Sequence, residues 1–125
     1  MSFSNFLENE ILDHLCSKGD YIASSMYIAL WVGNPGESGG LGSEVSGGGY
    51  TRMIMTGAAW DHASVGTILN FVAIQFPTAT GYWGNVTHFA LFDALSGGNM
   101  LMYGPLQGAP ISITTGSIPS LLRAR

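Results

Sequence analysis

GYWGNVTHFALFDALSGGNMLMYGPL, residues 81–106, decides the fold class. Two dense apolar runs, around HFALF and MLMY, flank the turn triplet Ser96-Gly97-Gly98. Short aromatic and β-branched runs bounded by glycine turns are the signature of a β-hairpin. The stretch 81–94 reads as one long strand or as two broken near Gly84, and 99–106 as the returning strand.

The same pattern continues on both sides. SSMYIALWVG (24–33) reads as a strand stopped by Asn34-Pro35-Gly36. YTRMIMTG (50–57) reads as another, with Tyr50, Arg52 and Ile54 on one face and Thr51, Met53 and Met55 on the other. TILNFVAIQFP (67–77), APISITTG (109–116) and SIPSLL (117–122) complete about seven short strands. Residues 34–49 form a glycine-rich loop interrupted only at Glu44-Val45-Ser46. One helix is expected, over 5–18, with Asn5 as cap and Leu7, Ile11 and Leu15 as an apolar stripe. A stripe of that kind must dock on the chain's own sheet or on a neighbouring subunit. The expectation is a mainly-β, single-domain β-sandwich, jelly-roll-like, spanning residues 1–125. It carries a short N-terminal helical segment (1–20), the 34–49 loop and a 117–125 tail.

Composition narrows the function. Hydrophobic residues make up 46% of the 125 and charged residues only 10%. Soluble domains carry about 25% charged residues. A surface so poor in charge is expected to lie against a partner, and obligate assembly follows as an expectation. The net charge is −4 with four Lys plus Arg, so nucleic-acid binding has no electrostatic basis. The basic cluster Arg123 and Arg125 suits an acidic partner surface. No segment reaches the ~20 apolar residues of a membrane span, and the N-terminus MSFSNFLENE lacks a signal peptide, so synthesis and assembly in the host cytoplasm are expected. Cys16 is the single cysteine; it allows no intrachain disulfide and is expected to be a small buried residue of the helix.

No set of residues supports catalysis, a metal or a cofactor. Gly36-Glu37-Ser38-Gly39-Gly40 fits G-x-S-x-G, but a nucleophile elbow needs a helix after the serine and a glycine-rich loop follows here. His14, His62 and His88 share no ligand spacing with each other or with Cys16; His88 reads as a hydrogen-bonded core or interface residue. Asp93 reads as a turn residue accepting backbone N–H groups. Asn85-Val86-Thr87 is a glycosylation triplet without a secretion signal. Trp31, Trp60, Tyr82 and Trp83 read as core or interface rather than as a sugar platform, with Trp83 the best interface anchor. Gly47, Gly48 and Gly49 carry no phosphate-loop spacing; they are expected to supply positive φ and a close approach to another chain just before Tyr50 starts a strand.

YIALWVGNPGESGGLGSEVSGGGYTR (27–52) and IQFPTATGYWGNVTHFALFDALSGGNMLMYGPL (74–106) together resemble a family of small tailed-phage virion proteins commonly labelled tail fibre proteins. The resemblance covers about residues 3–115 and departs at the end, where the chain runs TTGSIPSLLRAR. It implies a non-enzymatic structural protein of the virion. Two roles are open. The first is an oligomeric capsid decoration (cement) protein that binds itself and the major capsid protein. The alternative is a short tail fibre, adaptor or tail-tip component for host attachment. The absence of heptads, collagen triplets and β-helix repeats speaks for decoration. The 34–49 loop, the N-terminal segment and the tail 117–125 are the expected contact regions.

Overall fold

A computed structural model describes residues 2–19, 25–55, 74–106, 108 and 110–121. The chain is mainly β and antiparallel, with one short helix, near the N-terminus, among the described residues. Strand β1 (Ser2–Phe3) leads into helix α1 (Asn5–Leu15). There follow β2 (Met26–Val32), β3 (Ser43–Glu44), β4 (Met53–Met55), β5 (Ile74–Gln75), β6 (Gly84–Val86), β7 (His88–Phe92), β8 (Met100–Pro105), β9 (Ile111–Ile113) and β10 (Ser120–Leu121).

Six strands make the main sheet in the order β1-β8-β7-β2-β3, with β4 also paired to β2. β3 and β4 therefore share one edge of β2: Trp31 and Val32 face Glu44 and Ser43, while Met26, Tyr27 and Ile28 face Met55, Ile54 and Met53. The central strands β2 and β7 are buried on both faces, which is why MYIALWV and HFALF read as continuous apolar runs rather than alternating ones. On one face Ile28, Leu30, Phe89 and Leu91 pack with Ile74, Phe76, Val86 and Ile113. Those last four belong to or adjoin two ribbons, β5–β10 and β6–β9, which form a second layer over that face. On the other face Ala29, Trp31, Ala90, Phe92 and Met100 form a smaller cluster, with Tyr103 against it.

The hairpin of residues 81–106 forms, with two refinements. The 81–94 stretch is two strands, broken at Thr87, whose N–H bonds to Trp31 O and whose Oγ1 accepts from Gly33 N. The turn spans 93–99: the Asp93 carboxylate accepts from Asn99 N (2.7 Å) and Nδ2 (3.0 Å), the turn role expected of it. A Cβ on Gly98 would lie 2.5 Å from Asp93 Oδ1, so no side chain fits there.

Several expected boundaries shift. The helix is capped by Ser4, not Asn5: the buried Ser4 Oγ accepts from Leu7 N (3.2 Å) and donates to Met100 O, tying the cap to the sheet. The helix stops at Leu15 rather than residue 18, because Ser17 takes a left-handed φ of 58°. Cys16 is exposed at the C-cap, not buried. The expected 50–57 strand begins only at Met53 and runs to Met55, with 56–57 outside the described residues, since Tyr50 and Arg52 leave the ladder to make side-chain contacts. Residues 67–73 of the third expected strand, and Trp60 and His62, lie outside the described residues.

Candidate functional site

The densest polar arrangement lies where β3 and β4 meet end to end along β2. Neither strand reaches Leu30, so its backbone needs other partners. Val45 N donates to Leu30 O (3.0 Å), and Leu30 N donates to the Tyr50 hydroxyl (3.1 Å). That hydroxyl in turn donates to Glu44 Oε2 (2.7 Å). A side chain thus completes the ladder. Burial, with the neighbouring Glu44 carboxylate, pushes the Tyr50 phenol far above its ordinary value, so it stays a neutral donor.

Arg52 grips the same carboxylate. Its Nε and Nη2 reach Glu44 Oε2 and Oε1, both at 2.8 Å. Its Nη1 donates to Ala94 O (2.8 Å) and Gly97 O (2.9 Å) of the β7–β8 turn. The guanidinium lies 3.8 Å from the Phe92 ring centroid, and Phe92 stacks on Trp31 at 5.8 Å. The planar fork is suited to carry all these contacts at once. Arg52 is 7% exposed, so its charge is buried and compensated. Residues 44–47, 50–52 and 95–97 line an open polar cleft around this lock.

The glycine triplet is the second feature. Gly47, Gly48 and Gly49 all have positive φ (73°, 59° and 80°). The close approach they permit is to the same chain. Gly48 O accepts from Trp83 Nε1 and from Thr80 N, both at 2.8 Å. A Cβ on Gly48 would fall 2.9 Å from the Trp83 ring. Trp83 is 4% exposed and meets Tyr50 edge-on at 5.4 Å. The expected interface anchor is spent in its own core; its neighbour Tyr82 is the exposed aromatic.

The remaining expected residues disperse. Ser38 Oγ accepts from Gly40 N in a loop turn, a backbone partner rather than an imidazole. That loop folds back on the sheet: Trp31 Nε1 donates to Leu41 O, and Gly39 packs against Met100. His88 is half-buried, with Nδ1 2.8 Å from Thr87 Oγ1. Arg123 and Arg125 lie outside the described residues. Among the described residues, no group of three or more His, Cys, Asp or Glu is placed to hold a metal ion, and no helix is long and apolar enough to cross a membrane.

The surface carries large apolar groups instead. Ile11, Leu12 and Leu15 of α1 are exposed, the last at 76%. Of the stripe expected to dock, Leu7 is half-buried while Ile11 and Leu15 are left exposed, although α1 does touch β1 and β8. Phe3, Leu41, Ile54 and Ile118 are exposed as well. The Glu44–Arg52 lock went unforeseen in the sequence, although an Arg eight residues after a Glu, beside a tyrosine, was its one visible signal.

No curated protein matches the chain. The family model described as podophage GP4 fiber I protein gp80 matches residues 2–124, beyond the stretch 3–115 that carries the resemblance and including the divergent end. A fibre family favours the tail-fibre alternative over capsid decoration. The match spans the β-rich body, the Tyr50–Glu44–Arg52 lock and the 117–121 segment alike: the chain belongs to the podophage GP4 fiber I protein gp80 family and is a structural component of a phage virion.

Proposed function

We propose that this chain folds as one domain and serves as a short, self-associating subunit of the tail-fibre apparatus, an adaptor or knob rather than a shaft. The observation that carries this reading is the fibre-family match over residues 2–124, laid on a compact β fold. Within the match no heptad, collagen or β-helix repeat supplies an elongated shaft. Support for assembly comes from the low charged fraction of 10% and the exposed apolar residues of α1. The glycine-rich loop and the Arg52 lock serve rigidity: both tie the chain to itself. The reading is non-catalytic, and its partners are copies of itself and other virion proteins.

Copy number in purified virions, by quantitative mass spectrometry, combined with immunogold labelling, tests the reading. Label at the tail and far fewer copies than the major capsid protein are expected. Near-equal copy number with label over the shell would replace the fibre reading with capsid decoration.

A further inference from the structure

We propose that the polar cleft at the Glu44–Arg52 lock binds a neutral saccharide through a pair of adjacent hydroxyls. The inference deepens the tail-fibre reading and rests on it for where on the virion a saccharide is met.

Hydrogen-bond accounting points to a guest. Arg52 lines the cleft yet is only 7% exposed. A guanidinium carries five N–H donors. Nε and one N–H of Nη2 are engaged on Glu44, and both N–H groups of Nη1 on Ala94 O and Gly97 O. The second N–H of Nη2 has no acceptor among the described residues. A charged donor left unpaired in so buried a side chain costs stability, and an oxygen from outside the chain would relieve it. The Glu44 carboxylate is the counterpart. A carboxylate offers about four acceptor sites. Tyr50 Oη, Arg52 Nε and Arg52 Nη2 take three of them, so one is open. A spare donor and a spare acceptor therefore belong to two side chains held together at 2.8 Å.

That pair selects the chemistry of the guest. An anion would satisfy Arg52 but face the Glu44 charge, and a cation would do the reverse. A neutral guest must accept at one oxygen and donate from the next, as two adjacent ring hydroxyls do. The rest of the lining agrees. Ser46, Thr51 and Ser96 add hydroxyls, and those of Ser46 and Ser96 have no hydrogen-bond partner among the described residues. Leu95, 55% exposed, offers an apolar surface to the C–H face of a sugar ring. The cleft has a volume of about 400 Å³. Clefts that hold small molecules run to roughly 300–1,000 Å³. Its walls are fixed before any guest arrives: Arg52 ties down the 93–99 turn, and Trp83 and Thr80 tie down Gly48. A rigid site loses less freedom on binding.

The test titrates neutral oligosaccharides of glucose, galactose, mannose, rhamnose and N-acetylglucosamine into the nitrogen-15-labelled full chain. With at least one of them, amide shifts clustered at residues 44–52 and 95–97 are expected, and the affinity should be the same at low and high salt. Ser96→Trp and Ser46→Trp, each at an exposed position of the lining, are expected to abolish those shifts with an unchanged far-ultraviolet spectrum. No shifts with any of the sugars would mean that solvent alone satisfies Arg52, and overturns the inference. Shifts elsewhere, or shifts that survive both variants, overturn it as well. Tighter binding of sulfated counterparts, weakening as salt rises, would make the cleft an anion site and overturn it too. If a sugar binds in the cleft while virion labelling falls on the shell, the site stands and only the fibre location fails.

Discussion

The Arg52 guanidinium lies on the Phe92 ring at 3.8 Å while its Nε and Nη2 hold the Glu44 carboxylate, each at 2.8 Å. One side chain thereby joins β3 to the end of β7 and the 93–99 turn that follows it, more than 40 residues away in sequence. Phe92 in turn stacks on Trp31. A chain with four Lys plus Arg commits one of them to its interior.

Arg52→Ala removes the partner of a mostly buried carboxylate and leaves Ala94 O and Gly97 O without their donor. It is expected to destabilise the fold by about 3 kcal/mol, the range found when a buried pair loses one member. Arg52→Lys keeps the charge but not the fork or the ring stacking, and is expected to recover less than half of that loss. Urea unfolding of the three proteins measures both, with the midpoint shifting and the slope unchanged.

Gly47 and Gly48 separate backbone strain from crowding. Both have positive φ, but a Cβ meets nothing within 4 Å at Gly47 and meets the Trp83 ring at 2.9 Å at Gly48. Gly47→Ala is expected to cost about 1 kcal/mol, the left-handed penalty alone. Gly48→Ala adds overpacking and is expected to cost about 2–4 kcal/mol in all. Thermal unfolding separates the two, and Trp83 fluorescence should change only in the Gly48 variant.

The β class and the turn around Asp93 and Ser96-Gly97-Gly98 were legible because each rests on local pattern: apolar density, a Gly-Gly turn, an aspartate positioned to accept. What was not legible was non-local. Tyr50 and Arg52 alternate as a strand would, yet Tyr50 is needed by Leu30 and Arg52 by Glu44, so tertiary hydrogen bonds override the period. Ser4 displaced Asn5 as the cap because its hydroxyl also reaches Met100, which no sequence window reveals. Trp83 read as an anchor because an exposed tryptophan and a buried one look alike in sequence; its Gly48 partner lies 35 residues away.

Ala29 and Ala90 face each other across β2 and β7, between the pairs Tyr27–Phe92 and Trp31–His88. Trp31 and Phe92, diagonal across that position, stack with an interplanar angle of 19°. Two small residues between them leave the rings room to meet, and both alanines are fully buried. Ala90→Val is therefore expected to destabilise by about 1–3 kcal/mol through overpacking. Near-ultraviolet circular dichroism should show the loss of the stacked pair, while far-ultraviolet signal is retained.

The Tyr50 phenol sets an alkaline limit. Its folded value is raised, chiefly by burial and next by its hydrogen bond to Glu44. An unfolded tyrosine titrates near 10. Below that pH both states hold the proton and the contribution is complete. Above it the unfolded chain releases the proton while the folded chain retains it, so stability falls as pH rises. The slope approaches about 1.4 kcal/mol per pH unit for one such group. Tyr50→Phe removes the titrating group; it also strips Leu30 N of its acceptor, at about 1–3 kcal/mol at neutral pH. The variant should start less stable at pH 7 and lose less between pH 10 and 11, so the two stability curves converge. Parallel curves across that interval would mean that Tyr50 titrates in the folded chain as it does in the unfolded one.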